Sequence, residues 1–405
     1  MNHRRGAASE HPGGPLPLEV LLVFLRLGLT SFGGPVAHLG YFRTEFVERR
    51  RWLDDRSYSE LVALCQFLPG PASSQVGMAL GLSRAGWVGA LMAWAGFTLP
   101  SALALVIFAY GIVHYGDLAA SGAVQGLKVA AVAVVAQAVW GMAGSLCPDR
   151  PRAGLAIFSA LLTLVLPSAL GQIGAILVCG LIGWRLLRLP HRPVPADIGH
   201  GVSRRAGTIA LVLFAVLLLG LPLLAAASGS PRWGLVEGFY RAGALVFGGG
   251  HVVLPLLQAA VVPGGMVSNA DFLAGYGAAQ AIPGPLFAFA AYLGAVMQGP
   301  LSGWTGGLLL LVVIFLPAFL LVVGALPFWD ALRRREAIQS AVAGINAGVV
   351  GLLLSALYDP VWTSAIHSRM DFGLALAAFG LLVHARVSPV MVVALSAAVG
   401  WLVLV

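Results

Sequence analysis

An all-α polytopic membrane protein built from two inverted homologous halves is the fold this sequence predicts, and three observations predict it. Of its 405 residues 59% are hydrophobic and only 10% charged, with a mean hydropathy of +0.90. A soluble domain carries about a quarter charged residues. Long apolar runs recur along the whole chain, leaving no room for a sizeable soluble domain. Finally, a Pro-Gly-Pro break in the middle of an apolar segment occurs twice: as Gln66-Phe67-Leu68-Pro69-Gly70-Pro71 and, 214 residues later, as Gln280-Ala281-Ile282-Pro283-Gly284-Pro285.

The repeat extends beyond that motif. At an offset of 215, Phe24, Arg26, Gly28, Phe32, Gly33 and Gly34 match Phe239, Arg241, Gly243, Phe247, Gly248 and Gly249. At 217, Gly86, Trp87, Gly89 and Pro100 match Gly303, Trp304, Gly306 and Pro317. Apolar sequence alone does not align Arg, Gln and Pro in order, so the chain divides into a repeat over 17–200, a linker with a connecting span over 201–229, and a second repeat over 230–405.

Along the chain, residues 17–42 form an apolar segment interrupted at Phe32-Gly33-Gly34-Pro35. A charged loop over 43–60 follows, and the segment 61–82 holds the first Pro-Gly-Pro. Four longer apolar stretches come next, near 86–113, 121–146, 153–167 and 170–187, then a basic linker and a span over 207–228. The second half repeats the plan: interrupted 237–258 and 272–298, then 302–329, 337–358, 371–384 and 388–405. Each half thus reads as two broken hairpins plus about four spanning helices. If the hairpins are re-entrant, the arginines of loop 43–60, Arg84, Arg150, Arg152, the 185–206 linker, Arg333–Arg335 and Arg386 all fall on one side. Loop 259–271, with no Lys or Arg, falls on the other. That is the positive-inside pattern. Five spans separate the first hairpins from the second pair, an odd number that inverts the halves.

The net charge of +8 is explained by this topology, so no nucleic-acid partner is expected. Polar residues 1–17 precede the first apolar run, no convincing cleavage site follows that run, and the N-terminus is read as retained. Cys65, Cys147 and Cys179 form no CxxC and read as apolar fillers. Without a Walker loop, HExxH or nucleophile elbow, neither ATP hydrolysis nor proteolysis has support, and no cofactor or metal is expected.

The broken segments carry the chemistry. Pro35, Pro69, Pro71, Pro283 and Pro285 remove amide donors, and Gly33, Gly34, Gly70, Gly248, Gly249 and Gly284 let backbone approach a ligand closely. Helix halves that start at a break present free N–H groups and a positive dipole end, which favour an anion. Paired breaks in corresponding places point to a transport site, whereas a single such motif only permits kinks and tight packing. Ser31, Ser73, Ser74 and Gln75 could donate hydrogen bonds there; Leu286, Phe287 and Ala288 occupy the second half's place for the last three. Arg26 and Arg241 lie in apolar runs at matching positions and are candidate counter-charges, with snorkelling to the headgroups as the alternative for Arg26. Gln66 and Gln280 could donate to an oxyanion or cap exposed carbonyls. His38, His251 and Asn346 are candidate proton or pathway residues, against the commoner use of such groups in helix packing. The acidic cluster Glu45, Glu48, Asp54, Asp55 and Glu60 reads as a solvated loop surface.

The run Phe24-Leu25-Arg26-Leu27-Gly28-Leu29-Thr30-Ser31-Phe32-Gly33-Gly34-Pro35, followed by the first Pro-Gly-Pro motif, resembles the CHR family of chromate ion transporters. Phe247-Gly248-Gly249-Gly250-His251 and Pro283-Gly284-Pro285 are similar to that family's second-half motifs. The likeness covers essentially the whole chain, in the family's long, two-domain form. It implies a bacterial inner-membrane carrier exporting chromate, with sulfate as the structural analogue, driven by the membrane potential or a proton gradient and conferring chromate resistance. It also implies antiparallel halves. The alternatives are a sulfate or other oxyanion importer or exchanger and, from another class, a lipid scramblase or membrane scaffold. The expected partners are the oxyanion and the lipid bilayer; a homodimer is compatible with the fold.

Overall fold

The computed structural model describes residues 17–31, 34–114, 122–167, 169–188, 202–247, 252–299, 301–329 and 335–403, and contains no strand among them. The first half comprises α1 (Pro17–Thr30), α2 (Gly34–Arg43, extended by a π-turn over Thr44–Arg49), α3 (Asp55–Phe67), α4 (Ala72–His114), α5 (Gly122–Leu146), α6 (Arg150–Val165) and α7 (Ala169–Leu186). The connecting helix is α8 (Arg204–Ser228). The second half comprises α9 (Pro231–Ala244), α10 (Val253–Val261), α11 (Asn269–Ala281), a 3₁₀ turn (Leu286–Ala288) leading into α12 (Phe289–Val296), α13 (Gly303–Ala325), α14 (Glu336–Ala356), α15 (Arg369–Val383) and α16 (Pro389–Val403). Several helices start where a short polar side chain meets an apolar run. Asp54, Asp149, Ser203, Ser268 and Ser368 each accept from a backbone N–H three residues on, satisfying donors that the helix itself leaves free.

The broken segments double back. Phe24 of α1 packs edge-on against Phe42 at 5.6 Å and beside Phe46 at 5.1 Å. Arg50, beyond the π-turn, donates to Glu19 at the start of α1, at 2.9 Å. The second segment does the same: α3 leads in, the first arm of α4 (72–84) leads back, and the Arg84 guanidinium lies 5.0 Å from the Trp52 ring centroid. Arg50 lies 5.9 Å from that same ring, so both hairpins begin and end at one level of the molecule. At Gly86, with φ +60°, α4 leaves helical geometry and its long arm, 87–114, sets off in the opposite direction. Gly81 and Gly89 permit that reversal, since a Cβ on either would sit 2.2–2.3 Å from the other's carbonyl oxygen. The second half mirrors this. A Cβ on Gly238 of α9 would touch Ala260 of α10, Tyr292 of α12 donates to the Asp271 carbonyl of α11 at 2.8 Å, and Gly303 has φ +72°, matching Gly86.

The halves interlock. Helix α5 packs against α15 and α16 of the second half, while its counterpart α14 packs against α6 and α7 of the first. Small residues bring these backbones together: a Cβ on Gly126 would lie 2.1 Å from the Ser396 carbonyl oxygen, and one on Gly344 2.2 Å from that of Cys179. Without a hydrophobic driving force between helices in lipid, such close backbone packing supplies much of the association.

Among the described residues five helices are long and apolar enough to cross a membrane, over Ala72–Val113, Gly122–Gly144, Arg204–Ser228, Gly303–Phe328 and Glu336–Asp359, which makes this a multi-pass membrane protein. In the first of these the kink at Gly86 leaves the long arm of α4 as the crossing part. The other expected spans are shorter: α6, α7, α15 and α16 have 16, 18, 15 and 15 residues. At 1.5 Å per residue they cover about 22–27 Å, against a hydrocarbon core of about 30 Å.

The acidic cluster is less solvated than its composition suggests. Glu45 is buried and accepts from Arg50 at 2.7 Å, because the π-turn folds it under the hairpin base. Glu60 is buried as well, accepting at 3.4 Å from the Trp329 indole N–H at the far end of α13. Glu48 and Asp55 stay exposed and both pair with Arg43, at 2.6 Å each; the Asp55 bond, then its charge and that of Glu48, push the Arg43 pKa above its ordinary value. The cysteines are free, with Cys65 and Cys179 buried.

Candidate functional site

The breaks of the two halves are tied to one another. Gly70 of the first Pro-Gly-Pro donates its N–H to the Val246 carbonyl at 2.6 Å, and Gly284 of the second donates to the Ser31 carbonyl at 3.0 Å. Ser31 and Val246 are repeat counterparts, 215 residues apart, as are Gly70 and Gly284 at 214. These are therefore one hydrogen bond related by the molecule's internal symmetry. Both glycines have positive φ, +124° and +106°, a region that L side chains rarely enter. Each also abuts the long helix of the opposite half. A Cβ on Gly70 would lie 3.2 Å from Ala318 of α13, and one on Gly284 2.8 Å from the Ser101 hydroxyl of α4. Proline supplies the rest of the break, since its missing N–H and fixed φ end α3 and α11 in extended backbone at Leu68 and Ile282.

Around this junction the first half is polar. Ser31, His38, Ser73, Ser74, Gln75, Thr98 and Ser101 are all at most 3% exposed. The His38 ring lies 3.4 Å from the Ser73 hydroxyl, within hydrogen-bonding reach of the Ser31 backbone, and edge-on to Phe97 at 5.2 Å. Gln75 donates to the Pro69 carbonyl at 2.8 Å, filling an acceptor that the break leaves open. Ser31 Oγ, His38 Nε2, Ser74 Oγ, Gln75 Oε1 and Thr98 Oγ1 are buried without a hydrogen-bond partner among the described residues. Buried polar atoms in folded proteins are nearly always satisfied, so an unpartnered set gathered in one place points to a bound group. The helices starting at Gly34 and Ala72 add free N–H groups and positive dipole ends.

The second-half counterparts of these residues are apolar. At its repeat offsets that half carries Val246 for Ser31, Val253 for His38, Phe287, Ala288 and Phe289 for Ser73, Ser74 and Gln75, Phe315 for Thr98 and Ala318 for Ser101. The offset of 214 also shifts by one the alignment with Leu286–Ala288 given above. The aromatic replacements are buried and pack on one another; Phe287, for example, lies 5.5 Å from Phe315. Two symmetric breaks thus frame a lining that is polar on one side and filled on the other.

The remaining candidates fall elsewhere. Arg26 lies on the exposed face of α1 with Leu22 and Leu29, opposite the buried Phe24. Arg241 is half-buried and donates to Glu237, one turn earlier, at 2.5 Å. Neither guanidinium is bonded to the polar cluster. Gln66 is exposed, whereas Gln280 hydrogen-bonds with Tyr276; its Nε2, like Oδ1 of Asn346 in α14, is buried with no hydrogen-bond partner among the described residues. Pro35 sits in the first turn of α2, directly after Gly34 at φ +78°. Gly33, Gly248, Gly249 and His251 lie outside the described residues. Thr98 and Ser101 were missed by reading motifs, although they flank the duplicated Pro100 and face Phe315 and Ala318 in the repeat; comparing side-chain polarity position by position would have found them. No group of three or more His, Cys, Asp or Glu side chains placed to hold a metal ion occurs among the described residues.

The Arg241–Glu237 pair sets a separate expectation. Arg241→Gln alone leaves a largely buried carboxylate unpaired and is expected to destabilise by about 3 kcal/mol. Adding Glu237→Gln should restore most of that loss, because two neutral amides carry no such penalty. Thermal unfolding of the purified single and double variants measures the difference; equal destabilisation would assign Arg241 a role beyond the pair.

The family model described as chromate transporter matches residues 18–184 and 233–401. Among similar proteins, a chromate transport protein of Pseudomonas aeruginosa is 29% identical over 94% of this chain and 91% of its own. One from Cupriavidus metallidurans is 27% identical over 94% and 92%. An uncharacterized transporter of Methanocaldococcus jannaschii is 26% identical over 98% and 96%. No solved structure matches.

Proposed function

This chain belongs to the chromate transporter family, and from that premise we propose that it is a secondary active transporter exporting chromate across a bacterial inner membrane, conferring chromate resistance. The observation that carries the reading is the junction of the breaks, where the hydroxyls of Ser31, Ser74 and Thr98 and the Nε2 of His38 are buried with no hydrogen-bond partner among the described residues. Chromate is a tetrahedral dianion. Neutral donors and helix N-termini can hold its oxygens without the strong charge pairing that would slow release. In this reading the hairpins are re-entrant, and the end bearing Arg50, Arg84 and Arg152 faces the cytoplasm. Outward movement of a dianion down an inside-negative potential is favourable by about 2.3 kcal/mol per charge per 100 mV, so export needs no ATP. His38, in the polar cluster, is the proton carrier if a pH gradient contributes.

The test is transport in proteoliposomes with chromate, sulfate and independently imposed potential and pH gradients. Chromate flux that follows the imposed potential, with sulfate competing, is the expected result. Flux of neither anion, together with lipid flipping, would replace this reading with the scramblase. Sulfate flux that chromate does not inhibit would make the substrate a different oxyanion.

A further inference from the structure

A second polar cavity lies away from the junction, where both halves contribute. Its volume is about 430 Å³, and Thr163, Leu164, Pro167, Gln172, Gln258, Ser355 and Asp359 are among its lining residues. The side-chain chemistry is that of oxygen acceptors. Gln172 is more than nine-tenths buried and its Oε1 has no hydrogen-bond partner among the described residues. Thr163 spends its hydroxyl proton on backbone carbonyls of its own helix, those of Ser159 and Ala160, leaving oxygen lone pairs free. Gln258 donates one of its two amide N–H groups to Asn269 at 3.3 Å, and its carbonyl oxygen is an acceptor. Asp359 adds the one formal charge in the lining and accepts from Thr363 at 3.1 Å.

Backbone electrostatics point the same way. Thr163 and Leu164 are in the last turn of α6, which ends at Val165; Gln258 and Ala259 are in the last turn of α10, which ends at Val261. Ser355 and Ala356 close α14, and the chain leaves helical geometry at Asp359, with φ −130° and ψ 116°. The C-terminal turns of α6 and α10 and the irregular end of α14 reach the cavity and bring the negative ends of their dipoles, while α7 through Gln172 and α10 through Pro255 also present N-terminal turns. An anion would meet a carboxylate, the C-terminal ends of α6, α10 and α14, and the side-chain oxygens of Gln172 and Thr163. A cation meets what a hard ion needs, oxygen ligands around a net negative charge. One carboxylate balances one positive charge, and the volume leaves room for hydration water.

We propose that this cavity binds a hydrated monovalent cation, held by Asp359, Gln172 Oε1, Gln258 Oε1 and the hydroxyl oxygens of Thr163 and Ser355. Such an ion ties α6 and α7 of the first half to α10 and α14 of the second.

The test uses the purified full-length protein in detergent and reads thermal stability, so it does not depend on transport. Na⁺ and K⁺ are each titrated against choline at constant ionic strength and constant chloride. The expected result is a saturable rise in Tm with Na⁺ or K⁺, as binding to the folded state requires. Asp359→Asn should weaken the apparent affinity by about ten-fold or more, because it removes the only charged ligand. Gln172→Met, which keeps the side-chain volume, should weaken it too, and both variants should match the parent protein's Tm in choline. Absence of any cation-dependent rise in the parent protein overturns the proposal, as does a rise that survives both substitutions. A stabilisation by sulfate in choline that Asp359→Asn strengthens also overturns it, and assigns the cavity to the anion's route.

Discussion

Gly70→Ala and Gly284→Ala are each expected to lower chromate transport by about a hundredfold while the protein still inserts and purifies. Each substitution asks a side chain to adopt a positive φ, at +124° or +106°, a strain of about 1–3 kcal/mol. Each also places a methyl group against close neighbours: 2.8 Å from Gln75 Nε2 of its own half and 3.2 Å from Ala318 of the other for Gly70, and 2.8 Å from Ser101 Oγ of the other half for Gly284. Relief of either contact moves the break away from its partner carbonyl, Val246 or Ser31, and an unsatisfied buried carbonyl costs about 1–3 kcal/mol more. The sum, about 2–6 kcal/mol, spans the roughly 2.7 kcal/mol that corresponds to a hundredfold change. Gly86→Ala is the control, since it shares the positive φ but would meet nothing within 4 Å. It should cost stability without a comparable loss of flux per folded molecule. If all three variants transported within about two-fold of the parent protein, the junction would be only a packing device.

The duplicated Pro-Gly-Pro made the architecture legible because prolines and glycines act locally: a missing N–H ends a helix wherever it occurs. Charge did the same for topology: the basic-residue pattern placed Arg50 and Arg84 on one side, and both guanidinium groups lie against the Trp52 ring. What the repeat could not reveal is which break touches which. Gly70 pairs with Val246 rather than with Ser31 of its own half, a consequence of interlocking that no local rule contains. Intramembrane arginine was the less reliable guide. Arg26 and Arg241 match in sequence, yet one lies on an exposed face and the other is occupied by Glu237, a residue without an acidic counterpart in the first half, where Leu22 stands. Shared ancestry kept the arginines in register while their surroundings diverged. Thr98 and Ser101 were hidden for the opposite reason: each is unremarkable alone, and only the apolar residues standing in the other repeat mark them.

The divergence between the halves yields the second large effect. Ser31→Ala, Ser74→Ala and Thr98→Val each remove a buried hydroxyl that has no partner among the described residues, so each should leave folding intact and raise the KM for chromate. A hydrogen bond to a charged group is worth about 1.5–3 kcal/mol, or roughly ten-fold or more apiece. The triple variant is expected to fall by at least about a hundredfold in kcat/KM, allowing for non-additivity among neighbours. The counterparts should behave in the opposite sense. Phe287→Ala and Phe315→Ala open cavities in a packed aromatic cluster and should cost about 3–5 kcal/mol in stability, with KM unchanged for the protein that remains folded. His38→Gln belongs with the first group for binding, but it should also flatten the response of flux to an imposed pH gradient, which the serine variants should retain. Measuring KM and Tm on the same preparations separates the two classes. A triple hydroxyl variant with the parent's KM, or aromatic truncations that weaken chromate binding while preserving Tm, would move the binding site out of the first half.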